Sequence, residues 1–479
     1  CTRMGGDGAY EFYTVGVDLA GNREAAPTVE GGAKQGDEVA PDQTADFNAG
    51  AVWSEITADT EISAADTQYD NRNVRVRGAV VTLSGRHSFQ NVELLEGAAL
   101  THAETTLDAE FGLTFDAWTV TIDDTSAMDT DARGYLGGNR AGNGPEGRTL
   151  GNEPGATPYS GGSYGGTGGA TSGEANEPYG SIVLPVDLGA GGSAGGSGRA
   201  GGDGGGRVDI QAINVVCDGR VSANGGPGGG FQAGGGSGGS IYVAAATMSG
   251  TGACQANGGG AEVGGGGGRI AVHYIDISTL DTGLLQALGG TGNNVSGGNG
   301  TVFLKGVEET NGTLVVDGQG TATSFARLPI PPGVVFDNIV LQNSARVVAD
   351  DPLTVTDALE LRTDSVLTHS LENAEGVVVG AATVLIDETS SIDVSAKGYR
   401  GGLRDGNAES YGLTLDGYPG AQPYSGGSYG GYGGNYTAAA TSPAYGHPAA
   451  PVYLGSGGSG GGSGREGGNG GGRITLDVE

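Results

Sequence analysis

Four aspartates stand close together in IDDTSAMDTD: Asp123, Asp124, Asp129 and Asp131. Clustered carboxylates are the oxygen donors that calcium takes, usually around a glycine turn. The spacing does not follow the D-x-D-x-D-G order of a calcium loop. A matching stretch further on reads Asp387, Glu388, Asp393 and Ser395, so its fourth position carries no carboxylate. Alternate acids along a strand simply face water, and that is the reading adopted. The acid excess would attract counterions or divalent cations, with calcium the candidate, and no cofactor is expected. The five histidines, His87, His102, His273, His369 and His447, are scattered without metal-ligand spacing. The cysteines are Cys1, Cys217 and Cys254, an odd count that leaves no complete disulfide framework. Cys217 and Cys254 fall in neighbouring repeat segments, which allows a bridge between them. G-x-S-x-G occurs only inside glycine tracts, at 161–165, 191–195, 235–239, 426–430 and 457–461, so it does not read as a nucleophile elbow, and no phosphate loop ending in Gly-Lys-Ser/Thr occurs. The expectation is a protein that is not an enzyme and has no catalytic residue.

Tyrosine is the remaining side chain with a chemical use. Tyr159 and Tyr164 lie in PYSGGSYGG at 158–166, and Tyr424 and Tyr429 in the same nonapeptide at 423–431. Aromatic rings beside glycine offer flat platforms, either for sugar rings or for the peptide faces next to them. Packing against glycine is the favoured role and ligand stacking the candidate one. Arg207, Arg269 and Arg473 each follow a glycine run and are expected to donate to loop carbonyls. Sequons stand at Asn294, Asn299, Asn311 and Asn435.

The elements that carry these residues are set by an unusual composition. Of 479 residues, 101 are glycine and 17 proline, with no strict Gly-X-Y period, which excludes collagen. No apolar run approaches the length of a membrane-spanning helix. The formal charge is −32, and lysine is confined to Lys34, Lys305 and Lys397. That balance argues against a nucleic-acid partner, which needs clustered cations.

Internal repeats dominate the chain. PYSGGSYGG, the IDDTSAMDTDARGYLGG and IDETSSIDVSAKGYRGG pair, and GGDGGGR and GGNGGGR recur at offsets of 264 to 266 residues. His102 and His369 occupy matching positions. Inside the first unit, Arg207, Ser240, Arg269 and Thr301 each open an alternating strand after a glycine tract, spaced 33, 29 and 32 residues apart. Only Leu280–Leu288 could form a helical turn. One such segment cannot bury its own apolar face, but a stack can. The pattern predicts an all-β fold, a parallel, right-handed β-solenoid or β-helix with long glycine-rich loops; a β-sandwich or propeller is the alternative. Val208, Ile210, Ile241, Val243, Ile270 and Val272 should face inward, with Asp209, Tyr242 and Ala271 outward. The glycine tracts read either as slack linkers or as packed extended helices of the polyglycine II kind.

The domain reading is 1–27, a terminal hairpin; 28–50, a Gly/Ala/Pro/acid-rich linker; 51–325, a first solenoid unit; and 326–479, a second, incomplete one. A chain that starts within one domain and stops within a repeat is expected to be part of something longer, or a subunit completed by neighbours. GGDGAYEFYTVGVDLAGNREAAPT resembles the last hairpin of a bacterial immunoglobulin-like or fibronectin-type-III-like domain. Residues 51–479 resemble the glycine-rich repeat regions of very large secreted or surface proteins of bacteria and archaea. The resemblance implies an extracellular or cell-surface structural protein, a stalk of an adhesin or a filament subunit. Its partners would be other copies or flanking repeats, and surface glycans. A polysaccharide-binding or polysaccharide-degrading β-helix protein is the alternative; such families group Asp, Lys or Arg on one outer face, and lysine is scarce here. A third idea, an ice- or mineral-binding face, fails on irregular threonine spacing.

Overall fold

The computed structural model describes residues 9–12, 43–46, 52–320, 324–436 and 440–478. Among them there is no α-helix, only strands and short 3-10 turns. One of those turns, Thr282–Leu284, falls where a helical turn was expected. The chain divides into two units, Cys1–Trp53 and Ser54–Glu479. In the smaller one, Ala9–Phe12 pairs antiparallel with Gln43–Asp46. Of the expected hairpin at 1–27 only Ala9–Phe12 is described, and its partner strand lies within residues read as linker. Cys1 lies outside the described residues.

The larger unit is built on parallel pairing. A fifteen-stranded sheet runs through Asn73–Arg77, Asn91–Leu95, Leu113–Ile122, Arg207–Cys217, Ser240–Ser249, Arg269–Asp276 and Thr301–Gly306, and on to Ile474–Val478. A seven-stranded sheet of three- and four-residue strands, ending in a two-residue one, faces its first half. Register is kept from strand to strand: Leu113, Val208, Ile241, Ile270 and Val302 form one column, and Phe115, Ile210, Val243 and Val272 another. Val81, Leu100, Met128, Val221, Cys254 and Leu285 form the facing column of the short sheet. Because side chains alternate across a strand, equal register puts every apolar residue on the same face, and together the columns make a continuous core.

All six residues expected to face inward do so and are at most 1% exposed. Tyr242 and Ala271 depart from expectation: both are buried on the opposite face, beneath Ile182 and beside Phe303. The 179–188 segment returns across that face, and His273 Nε2 lies 3.0 Å from the Val183 carbonyl. The Cys217–Cys254 bridge does not form. Both thiols are buried and free. Cys217 ends a strand of the long sheet, whereas Cys254 fills its column between Val221 and Leu285 in the short one. Burial pushes the Cys217 thiol up to about 12.

The parallel order breaks once along the described part of the long sheet. Thr301–Gly306 pairs antiparallel with Thr313–Asp317, and every later neighbour is parallel again in the reversed sense. Asp337 ties the connecting turn by accepting from the backbone N–H of Asn311 and Gly312 at 2.8 and 2.9 Å. Val302 sides with the first core, while Phe303 and Leu314 belong to a second. The second half thus keeps the sheet but builds its core on the other face, against a four-stranded sheet that starts at Ala326–Arg327.

Candidate functional site

The predicted tyrosines stand in two glycine layers, residues 134–206 with 223–300 in the first half and 398–472 in the second. The first layer is hydrogen-bonded tract to tract: Gly134 N–H donates to Gly204 O at 2.7 Å, Gly205 to Ser237 O at 2.8 Å, and Gly238 to Gly266 O at 2.9 Å. Its packing repeats every three residues. A Cβ on Gly201 or Gly204 would run into the carbonyls of Gly192 and Gly189, and one on Gly202 or Gly205 into those of Gly226 and Ala223. None of these glycines has positive φ. Close backbone approach, and not left-handed geometry, is what requires glycine here.

Within 134–206 and 398–472 the hydrogen bonds correspond closely. His102 Nε2 accepts from Arg207 N–H at 3.3 Å and His369 Nε2 from Arg473 N–H at 3.2 Å. The Nδ1 atoms lie 2.8 and 2.7 Å from the carbonyls of Ala103 and Ser370, which makes Nδ1 the protonated nitrogen. Both rings are fully buried, and burial lowers the His102 pKa to about 4. Arg140 Nε donates to Gly201 O and Arg404 Nε to Gly467 O, each at 2.6 Å. Gly137 N–H donates to Asp203, and its counterpart Gly401 to Asn469. The acid is therefore valued for its acceptor oxygen. Asp129 and Asp131, half of the candidate calcium cluster, instead grip Arg220 at 2.7 and 3.1 Å. Asp123 accepts from the N–H groups of Glu96 and Thr125, and Asp387 does the same for Thr363 and Thr389.

The four tyrosines divide into two kinds. Tyr159 and Tyr424 hold φ of 72° and 68° and accept from the N–H of Thr171 and Tyr436. Tyr424 is exposed. Tyr164 and Tyr429 each tilt against a second tyrosine, Tyr179 at 4.9 Å and Tyr445 at 5.1 Å between ring centroids. Those second rings donate to Leu188 O at 2.6 Å and Leu454 O at 2.5 Å. The sequence reading passed over Tyr179 and Tyr445, although PYG at 178–180 and AYG at 444–446 carry them at matching places in the repeat.

Tyr164 is fully buried and is no open platform. Its hydroxyl meets Ser240 Oγ at 2.7 Å, and Ser240 donates to Asp187 O at 2.5 Å. The Arg269 guanidinium lies 5.4 Å from the Tyr164 ring centroid, with Nε donating to Tyr179 O at 3.0 Å and Nη1 to Thr301 Oγ1 at 3.2 Å. Arg269 is fully buried, and burial lowers its pKa. Burial also raises the Asp187 carboxyl, against the pull of Arg207 and Arg269. Arg207 and Arg473 donate to the carbonyls of Val186 and Ala374.

Tyr429 sits differently. Its hydroxyl is buried without a hydrogen-bond partner. Beside it opens a cleft of about 270 Å³ lined by Tyr429, Tyr445, His447, Pro448 and Pro451. Tyr418, Tyr432 and Tyr436 are exposed on the same layer. No family model, curated protein or solved structure matches this chain.

Proposed function

We propose that this chain is a non-enzymatic structural protein of the cell exterior, a filament subunit or the stalk of a large surface adhesin. In this reading the long, short and four-stranded sheets are the faces of a parallel β-solenoid, and the glycine layers are polyglycine-II-like bundles filling its third side. The observation that carries it is the duplication of one hydrogen-bond scheme across two layers, in which polar side chains hold backbone and leave no grouped acid, base and nucleophile. A scheme kept for backbone geometry is what a load-bearing spacer requires; chemistry would need one privileged site. Ordering so much glycine is entropically expensive, and only extensive interlocking offsets it. Electron microscopy of native surface material bearing the chain tests the proposal. Regular filaments or stalks labelled by an antibody to residues 134–206 are expected; soluble particles that cleave a polysaccharide would overturn it.

A second reading, binding of surface glycans, draws on the tyrosine-lined cleft of the second layer. Stacking of a sugar ring on Tyr429 or Tyr445 would explain exposed aromatics there. A glycan array with Tyr432→Ala and Tyr436→Ala as controls decides it, and no binding by the parent chain removes it.

A further inference from the structure

We infer that the second glycine layer is a docking surface for one more glycine-rich segment with the chemistry of residues 223–276: glycine tracts that end in a serine and in an arginine, each opening a parallel strand. The inference rests on the structural-protein reading and names its partner. The molecule supplies its own template, because the first layer holds such a segment in place.

Three independent features agree. Glycine is required at Gly161, Gly165, Gly166, Gly202 and Gly205 because carbonyls of the 223–299 region press against them. Their counterparts Gly430, Gly431, Gly468 and Gly471 face open space, with nothing within 4 Å of an added Cβ, and the counterpart of Gly161, Gly426, meets nothing closer than 3.4 Å. Among the described residues the amides of Gly430, Gly431, Gly468 and Gly471 also lack the acceptors that the first layer offers, where Gly165 donates to Gly267 O, Gly202 to Gly234 O and Gly205 to Ser237 O. Glycine at an uncrowded position with negative φ serves no purpose inside this layer. It serves one if a backbone comes to lie there.

The second feature is the Tyr429 hydroxyl, buried and unpartnered, where Tyr164 has Ser240 and lies under Arg269. In the first layer a serine of the 223–276 segment partners the equivalent hydroxyl, and the same serine chemistry would complete Tyr429. The third is the strand Ile474–Val478. Among the described residues it pairs with Val377–Ala381 on one side only. Ile474 and Leu476 are 41% and 46% exposed, whereas Val208 and Ile210 at the matching positions are fully buried. A bare parallel edge with an apolar face invites a further strand. A second folded copy does not fit the role, since its own 223–276 segment is already spent inside its first layer.

The test titrates the full chain with a synthetic polypeptide of residues 218–276, followed by calorimetry and by hydrogen exchange at 425–434 and 467–478. Saturable one-to-one binding that protects both stretches is expected. The chain carrying Gly468→Ala and Gly471→Ala, whose added methyls meet only open space in the free layer, should bind at least tenfold more weakly. A polypeptide with Ser240→Ala and Arg269→Gln should lose affinity likewise. Absence of saturable binding overturns the inference. So does equal binding by the double-alanine chain, which would mean strand-edge pairing alone. Self-association of the chain, blocked by the same two alanines, would make a second copy the occupant and also overturn it. Microscopy separates the two levels: binding without filaments sinks the structural reading and keeps the docking surface, and filaments without binding do the reverse.

Discussion

Gly202 and Gly468 occupy the same place in two copies of one motif, and replacing each by alanine should have opposite effects. At Gly202 the new Cβ would fall well inside 3.0 Å of the Gly226 carbonyl and at 2.8 Å from Gly236 N. Both obstacles are backbone, so no side chain can swing away. Parting the tracts by roughly 1.5 Å would restore ordinary contact distance. That displacement strains four hydrogen bonds: Gly192 N–H to Gly202 O (2.8 Å), Gly202 N–H to Gly234 O (2.9 Å), Gly226 N–H to Asp203 O (2.7 Å) and Gly236 N–H to Gly226 O (2.9 Å). At about 1 kcal/mol net for each bond, the loss is about 4 kcal/mol. Alanine stiffens the unfolded chain and returns about 0.4–1 kcal/mol, leaving a net destabilisation of about 3 kcal/mol. At Gly468 the methyl meets nothing within 4 Å and φ is not positive, so only the entropic gain remains. The assay is native-state hydrogen exchange over residues 189–206 and 455–472, because a repeat array does not unfold in one step and local opening is the proper quantity. Exchange in 189–206 should speed up about a hundredfold in Gly202→Ala, and exchange in 455–472 should hold or slow in Gly468→Ala. Equal responses, or unfolded-chain rates in the parent protein, would refute an interlocked layer and restore the slack-linker reading.

Other expectations concern buried polar groups. His102 has a folded pKa of about 4 against an unfolded value near 6.5, so the unfolded chain takes up a proton first as pH falls. Its contribution is intact above pH 6.5, declines by up to about 3 kcal/mol towards pH 4, and levels off below. The urea midpoint of the parent minus that of His102→Gln should follow that curve, and parallel profiles would exclude His102 as the cause. Arg269→Met strands the Tyr179 carbonyl and should cost about 3 kcal/mol, read as a lower denaturation midpoint. Arg269→Lys should not rescue it, for lysine lacks the fork that spans Tyr179 O and Thr301. Finally, a thiol reagent should leave Cys217 and Cys254 unlabelled in the native protein and label both on denaturation without reductant; a shortfall of two thiols would establish a bridge after all.

Where side chains alternate, the sequence was readable. Val208, Ile241 and Ile270 share a face because every strand starts a fixed step after its glycine run, so one period sets the register of all. Tyr242 and Ala271 misled because alternation predicts which side a residue takes, not whether a distant loop such as 179–188 will cover that side. Glycine tracts carry no alternation at all. Their three-residue order lies in which carbonyl each α-carbon faces, and composition holds no trace of it. The reversal at Asn311–Gly312 was equally hidden, since a turn between two apolar runs reads alike whether the next strand returns parallel or antiparallel. His102 and His369 were recognised as equivalents by the repeat, and their shared hydrogen bond to the arginine amide follows from it.

That reversal has a geometric consequence for any assembly made of such units. Glycine tracts lead into the first residues of long strands, at Arg207 and again at Ile474. Flipping the strand sense between Gly306 and Thr313 therefore sends the two layers to opposite margins of the ladder. A rod that repeated the hairpin at each junction would have a true period of two units, with bulky layers left and right in alternation like leaves along a stem. Its axial spacing in diffraction would be double the length of one unit, and a bend that crowded one layer would splay the next.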